Sequence, residues 1–279
     1  MDYCNSIINP RYIAFLDSDD VWVKNFYTED LRDLLLDENK DFYMFEYFDG
    51  DENIKRGKLH VLDNAHKDDT FKEFGHHFCS LIYSNAVMRK YNIRFPEKIK
   101  VQEDVVFRYL FTAFSNRYSF VKKPIFVYRS NNNSVVHSKF NPSKRYFEDV
   151  IPAWEYVMNF LNKVDKNLSK EVYDKIIEQS RIMIKTYLVE FIQVSLSLGM
   201  KKSDINKQLK LCKYYSFLED DSIWLDLCRK NIWSEFINSP LKLQIKLRTK
   251  YLVLNFLRKF RNVSFVVKKR YPMDISKLV

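Results

Sequence analysis

Two habits divide the chain: short β-favouring runs carry it to about residue 130, and apolar positions then recur at helical spacing. Tyr12, Ile13, Phe15 and Leu16 predict a strand of the kind buried in a parallel sheet, ended by Asp17-Ser18-Asp19-Asp20. Thr28 to Glu38 predicts a helix with Leu31, Leu34 and Leu35 on one face, and DFYMFEYFD from Asp41 predicts the next strand. The polar stretch Asp49 to Asp69, with Gly50 and Gly57, reads as a hairpin or loop over the sheet edge. A strand over Cys79 to Tyr83, a helix over Asn85 to Tyr91 and an extended Ile93-Arg94-Phe95 follow. Glu103-Asp104 then opens the apolar helix VVFRYLFTAF, and Ile125 to Tyr128 predicts a last strand before a polar loop. Beyond Pro142, helices are expected around Val150, Trp154, Val157 and Leu161, over Ser169 to Leu198 with Gly199 as the stop, over Asp204 to Leu218, and over Asp221 to Asn238. Pro240 is expected to break the chain before a basic tail. Trp154, Trp224 and Trp233 read as core residues.

Composition narrows the function classes. With four glycines there is no G-x-G-x-x-G and no G-x-x-x-x-G-K-[ST] loop, which sets aside dinucleotide-binding and P-loop enzymes. Cys4, Cys79, Cys212 and Cys228 form no C-x-x-C pair and read as packing thiols of a reducing compartment. His60, His66, His76 and His77 lack zinc spacing and read as surface residues. The formal charge of +10 is local: ten basic residues and no acid lie between Leu241 and Met273. There Leu243, Leu247, Tyr251, Leu254 and Leu257 share a helical face, which would either lie on an anionic bilayer or pack against the helical region. Nucleic acid is not an expected partner.

The chemistry points to the end of the first strand. Three carboxylates within four residues repel one another unless a hard cation takes their oxygens. A plainer reading makes Asp19 or Asp20 the N-cap of a helix beginning at Val21. The wording FLDSDD followed by Trp22 resembles the DxD region of family 2 glycosyltransferases of the GT-A fold. Two further blocks resemble that family in the same order: I-R-F, a loop, then E-D-V-V-F from Glu103; and IFVYR followed by N-S-V-V-H-S.

The resemblance implies an α/β fold, with a partial GT-A (Rossmann-like) sheet domain over 1–138 and an all-helical C-terminal region with its basic tail over 139–279. It implies inverting, metal-dependent hexosyl transfer from a nucleotide-sugar donor to a glycan or lipid-linked acceptor in bacterial-type surface polysaccharide synthesis. Asp17 and Asp19 would bind the donor and Mg²⁺ or Mn²⁺, His137 would complete the metal shell, and Asp104, beside Glu103, would be the catalytic base. Such an enzyme is expected in the cytoplasm, peripheral to the inner face of the cell membrane. The resemblance also places roughly the first third of the sheet domain, with the nucleotide-base pocket, upstream of Met1, and Cys4 stands where the family has Arg. A partner polypeptide supplying that part, or a non-catalytic remnant, is the alternative this implies. D-S-D-D-V also fits the nucleophile loop of haloacid-dehalogenase-like phosphatases, whose G-D-x-x-x-D motif has no counterpart downstream.

Overall fold

The computed structural model describes residues 9–37, 40–61, 77–130, 141–164, 168–222, 226–259 and 273–279. The fold is mixed α/β, a Rossmann-like sheet with a helical C-terminal region. Two compact units make it up: Met1–Phe95 with Phe107–Ser138 and Arg261–Val279, and Pro96–Val106 with Lys139–Phe260.

The first unit holds β1 (Tyr12–Ala14), β2 (Val21–Trp22), α1 (Glu29–Asp37), β3 (Phe42–Gly50), β4 (Arg56–His60), β5 (Leu81–Ser84), α2 (Asn85–Lys90), most of α3 (Glu103–Ala113), β6 (Tyr118–Arg129) and β7 (Met273–Asp274). β3 is the spine of the sheet. One of its edges pairs antiparallel with β5 near its start and with β4 near its end, while the other runs parallel to β6. Its aromatic run is buried along nearly its whole length, as a central strand covered on both faces requires. The ladder with β6 shifts register at Glu46, opposite Pro124, which has no N–H to give the ladder. Asp41 fastens the start of both strands: its Oδ2 accepts from the backbone N–H groups of Asn116 (2.8 Å) and Arg117 (2.9 Å).

β1 departs from expectation. It pairs antiparallel with β5, not within a parallel run, and it is only partly buried. The chain past Val21 is not a helix capped by Asp19 or Asp20 either. Val21 and Trp22 pair with Val127 and Phe126 of β6, and the helix starts seven residues later, where Thr28 Oγ1 accepts from Leu31 N. Two apolar residues facing a buried strand gain more from that ladder than from a helical turn.

The C-terminal residues return to this sheet, whereas the sequence reading kept all of 139–279 with the helices. Met273 and Asp274 pair with Gly57 and Arg56, and Ile275 is fully buried. A Cβ on Gly57 would stand 2.8 Å from Ile275 Cδ1, so that glycine makes room for the closing residue.

In the second unit, a π-helical stretch Lys144–Val150 leads into α4 (Ile151–Leu161), followed by α5 (Lys170–Ser197), α6 (Lys202–Leu211), α7 (Leu227–Asn238) and α8 (Pro240–Lys259). Ser169 caps α5, and Gly199 ends it at φ 89°, a left-handed conformation that glycine adopts without strain. Trp154 is buried, as expected, and Trp224 lies outside the described residues. Pro240 begins α8 instead of breaking the chain, because its missing N–H is one a first helical turn does not use. Leu243 is 0% exposed, so at that position the face packs inward, the second of the two arrangements its spacing allowed. Leu243→Ala is expected to cost about 2–4 kcal/mol in chemical denaturation, and Leu241→Ala, on the opposite side, about 0.5 or less. Equal costs would mean that α8 is not docked through Leu243.

Candidate functional site

The acidic turn is held from both sides. Before it, Phe15 packs edge-on against Tyr83, Phe95 and Phe107, with centroids 5.3–5.6 Å apart, anchoring the end of β1. After it, β2 is zipped to β6, and Asp20 N closes the turn on Asp17 O at 3.1 Å. The three carboxylates are thus presented by a tight turn between two fixed strands.

Asp20 is the unusual one. Only 6% of it is exposed; its Oδ1 accepts from Arg129 N at 2.9 Å, and its buried Oδ2 has no hydrogen-bond partner among the described residues. Burial, reinforced by the charges of Asp17 and Asp19, pushes its carboxyl up to about 7, against the pull of the Arg129 N–H. Asp41 shows what a satisfied buried carboxylate looks like here, with two backbone N–H donors on one oxygen and the Arg117 guanidinium on the other. Asp20 has one donor. Charge density is left over at that turn.

Two residues distant in sequence complete the cluster. Ligand atoms of Asp17, Asp20, His77 and Cys79 lie within 4.8 Å of one another. His77 Nε2 stands 3.8 Å from Asp17 Oδ2, while its Nδ1 accepts from Cys79 N at 3.4 Å. In the neutral ring that bond places the proton on Nε2, on the side of Asp17. The ring is wedged among Phe126 (5.3 Å) and Tyr128 (4.9 Å). His77 is therefore not the surface residue the sequence suggested, while Cys79 is buried as a packing thiol should be. His60 stacks on Tyr47 at 4.5 Å, and His66 and His76 lie outside the described residues.

The donor set admits a test of the implied cation. Mg²⁺ and Mn²⁺ want oxygen, which Asp17 and the spare Oδ2 of Asp20 offer; imidazole suits Mn²⁺ and a thiol suits neither. The oxygen part of the cluster fits. Asp19 sits in the same turn without joining the four. His137 lies outside the described residues.

Glu103 and Asp104 belong to the other compact unit. They form the first turn of α3, both partly exposed. Gln102 precedes them at φ 68° and fixes the helix start, donating to the Tyr187 hydroxyl (2.7 Å) and accepting from Trp154 Nε1 (3.3 Å). This anchor was not seen in the sequence, because nothing there links Gln102 to residues 52 and 85 positions away.

No protein-family model and no curated protein matches this chain. Solved structures do. S. aureus TarS 1–349 in complex with UDP-GlcNAc shares its fold with a TM-score of 0.51 at 15% identity, over 86% of this chain and 67% of that one. A second structure of S. aureus TarS 1–349 gives 0.54, also at 15% identity, over 89% and 68%. The likeness is one of fold.

Proposed function

We propose that this chain carries the acidic site of a metal-dependent, inverting glycosyltransferase that moves a sugar from a nucleotide-sugar donor to a glycan or lipid-linked acceptor. The observation that carries the reading is the buried Asp20 carboxylate, with one oxygen unsatisfied, beside Asp17 at the end of β1. The shared fold with a protein that binds UDP-GlcNAc supports a donor of that class. Three blocks in family 2 order support the same reading.

Asp17, Asp19 and Asp20 hold the donor side, with His77 beside Asp17, and His137 is the further ligand that the resemblance implies. A bound Mg²⁺ or Mn²⁺ would supply neutralisation of the diphosphate as it departs. Asp104 takes the proton of the acceptor hydroxyl, whose pKa lies far above neutrality, as that oxygen attacks the anomeric carbon from the face opposite the diphosphate. One displacement inverts the configuration and needs no covalent enzyme intermediate. Glu103 adds charge beside the base and is the less critical of the two.

Thermal melting tests the donor side. Saturating Mn²⁺ with UDP is expected to raise the midpoint by about 5 °C, the effect of a ligand at roughly 100 times its Kd on a chain of this size. Asp17→Asn and Asp19→Asn should each remove most of that gain. An unchanged gain in both variants would dissolve the assignment.

A further inference from the structure

One face of the sheet beside the acidic turn carries an aromatic and acidic patch that the fold leaves partly exposed. In the parallel ladder Phe48 stands beside Val127, and Asp49 beside Tyr128. Side chains alternate along a strand, so Phe48 and Val127 pack with Ile275 on one face while Asp49 and Tyr128 share the other. Tyr47 and Phe126 are the buried floor of that second face, stacked with centroids 5.2 Å apart, and His60 lies flat on Tyr47 with 1° between the ring planes. His77 borders the patch. Its ring centroid is 4.9 Å from that of Tyr128 and its Nε2 is 3.8 Å from Asp17 Oδ2, so the patch begins where the acidic turn ends. Tyr128 itself is 37% exposed, and its hydroxyl makes no hydrogen bond among the described residues. Burial first, then the charges of Asp20, Asp19, Asp49 and Asp17, hold that phenol above its ordinary value, so it keeps its proton as a donor.

We infer that Tyr128 and Asp49, on the floor made by Tyr47, His60 and Phe126, bind a sugar ring beside the acidic turn; this rests on the reading of that turn as a donor site and adds the residues that meet the carbohydrate. Chemistry selects the occupant. A pyranose has a C–H face, which packs on aromatic surface, and a rim of hydroxyls, which donate to the Asp49 carboxylate and accept from the Tyr128 phenol. An anion is repelled by the carboxylates of the turn and of Asp49, and an apolar ligand strands them without a donor. A bare cation has no use for the phenol proton. The ring can be the donor's or the acceptor's, since the two meet at the same anomeric carbon.

The test is calorimetric titration of the full chain, in the presence of Mn²⁺, with UDP, with UDP-GlcNAc, and with free N-acetylglucosamine added on top of UDP. Tyr128→Ala is expected to weaken at least one of the two sugar-bearing probes by roughly tenfold or more, through loss of a ring contact and a hydrogen bond, and to leave UDP within about twofold. Tyr128→Phe keeps the ring and Asp49→Asn keeps the shape, so both guard against a folding defect, and each should weaken the same probe by roughly threefold or more. Loss with UDP-GlcNAc assigns the patch to the donor's sugar; loss with the free sugar alone assigns it to the acceptor's. Unchanged affinities for both sugar probes in Tyr128→Ala and Asp49→Asn overturn the inference. So does equal weakening of UDP and UDP-GlcNAc, or a wild type that binds neither sugar probe. Those results leave the donor reading standing if wild type binds UDP with Mn²⁺, and a wild type without affinity for UDP under these conditions counts against that reading itself.

Discussion

Asp104→Asn is expected to lower the rate of sugar transfer by about 10²- to 10⁴-fold while leaving the Kd for UDP within twofold, because a general base acts on the acceptor and not on the donor. The amide keeps the size and position of the carboxylate at the first turn of α3, where Gln102 holds the backbone, so loss of rate would report loss of the proton acceptor. Glu103→Gln should cost roughly tenfold or less. Equal rates for wild type and Asp104→Asn would end its assignment as the base. Release of phosphate from simple phosphate esters, with no sugar transfer, would instead hand Asp17 and Asp19 to phosphatase chemistry.

Asp20→Asn is expected to raise the thermal midpoint by about 2–5 °C at pH 8 in the presence of a chelator, and to lower it by a similar amount near pH 4. The folded carboxyl titrates at about 7, above the ordinary value of 3.8 that the unfolded chain restores. Below pH 4 both states hold the proton and the group costs nothing. Between 4 and 7 the folded state keeps a proton that the unfolded state has released, so stability falls as pH rises through that window. Above 7 the cost is complete, on the order of 4 kcal/mol by linkage. Asparagine keeps an acceptor for Arg129 N and carries no charge, although its NH₂ in the same buried place gives back about 1–3 kcal/mol. A cation on Oδ2 would relieve the same cost, so Mn²⁺ at pH 8 should stabilise wild type more than the variant. A difference between the two proteins that does not vary from pH 4 to pH 8 would show that Asp20 is not titrating in this window.

The acidic turn was legible because strand, turn and chemistry are contiguous between Arg11 and Trp22. Its companions were not, since they depend on a pairing that local pattern does not encode. Tyr12 stands opposite Ser84, Ile13 opposite Tyr83 and Ala14 opposite Ile82. Continuing that antiparallel register puts Asp17 opposite Cys79, with the turn running back toward His77, and so a histidine 60 positions away reaches the acid. The apolar run of β1 looks the same whichever way its neighbour travels, which is why a parallel arrangement was expected. Helical spacing in the second unit could be read, because i, i+3 and i+4 contacts are local. Which face of α8 turns inward could not: Leu243 and Leu241 are equally apolar, and packing against the rest of the unit chose between them.

The return of the chain to its first sheet has a consequence during synthesis. β4 finds its outer neighbour in β7, and the pocket made by Gly57 is filled by Ile275, whose N–H donates to Lys55 O at 3.0 Å; Lys24 N in turn donates to Leu278 O. A ribosome must therefore translate the entire stretch from Lys139 to Phe260, enough for the helical unit to form by itself, before the residues that close the sheet exist. While translation proceeds, Gly57 and the edge of β4 stand open, and an open strand edge is a template for wrong pairing until Ile275 has left the exit tunnel.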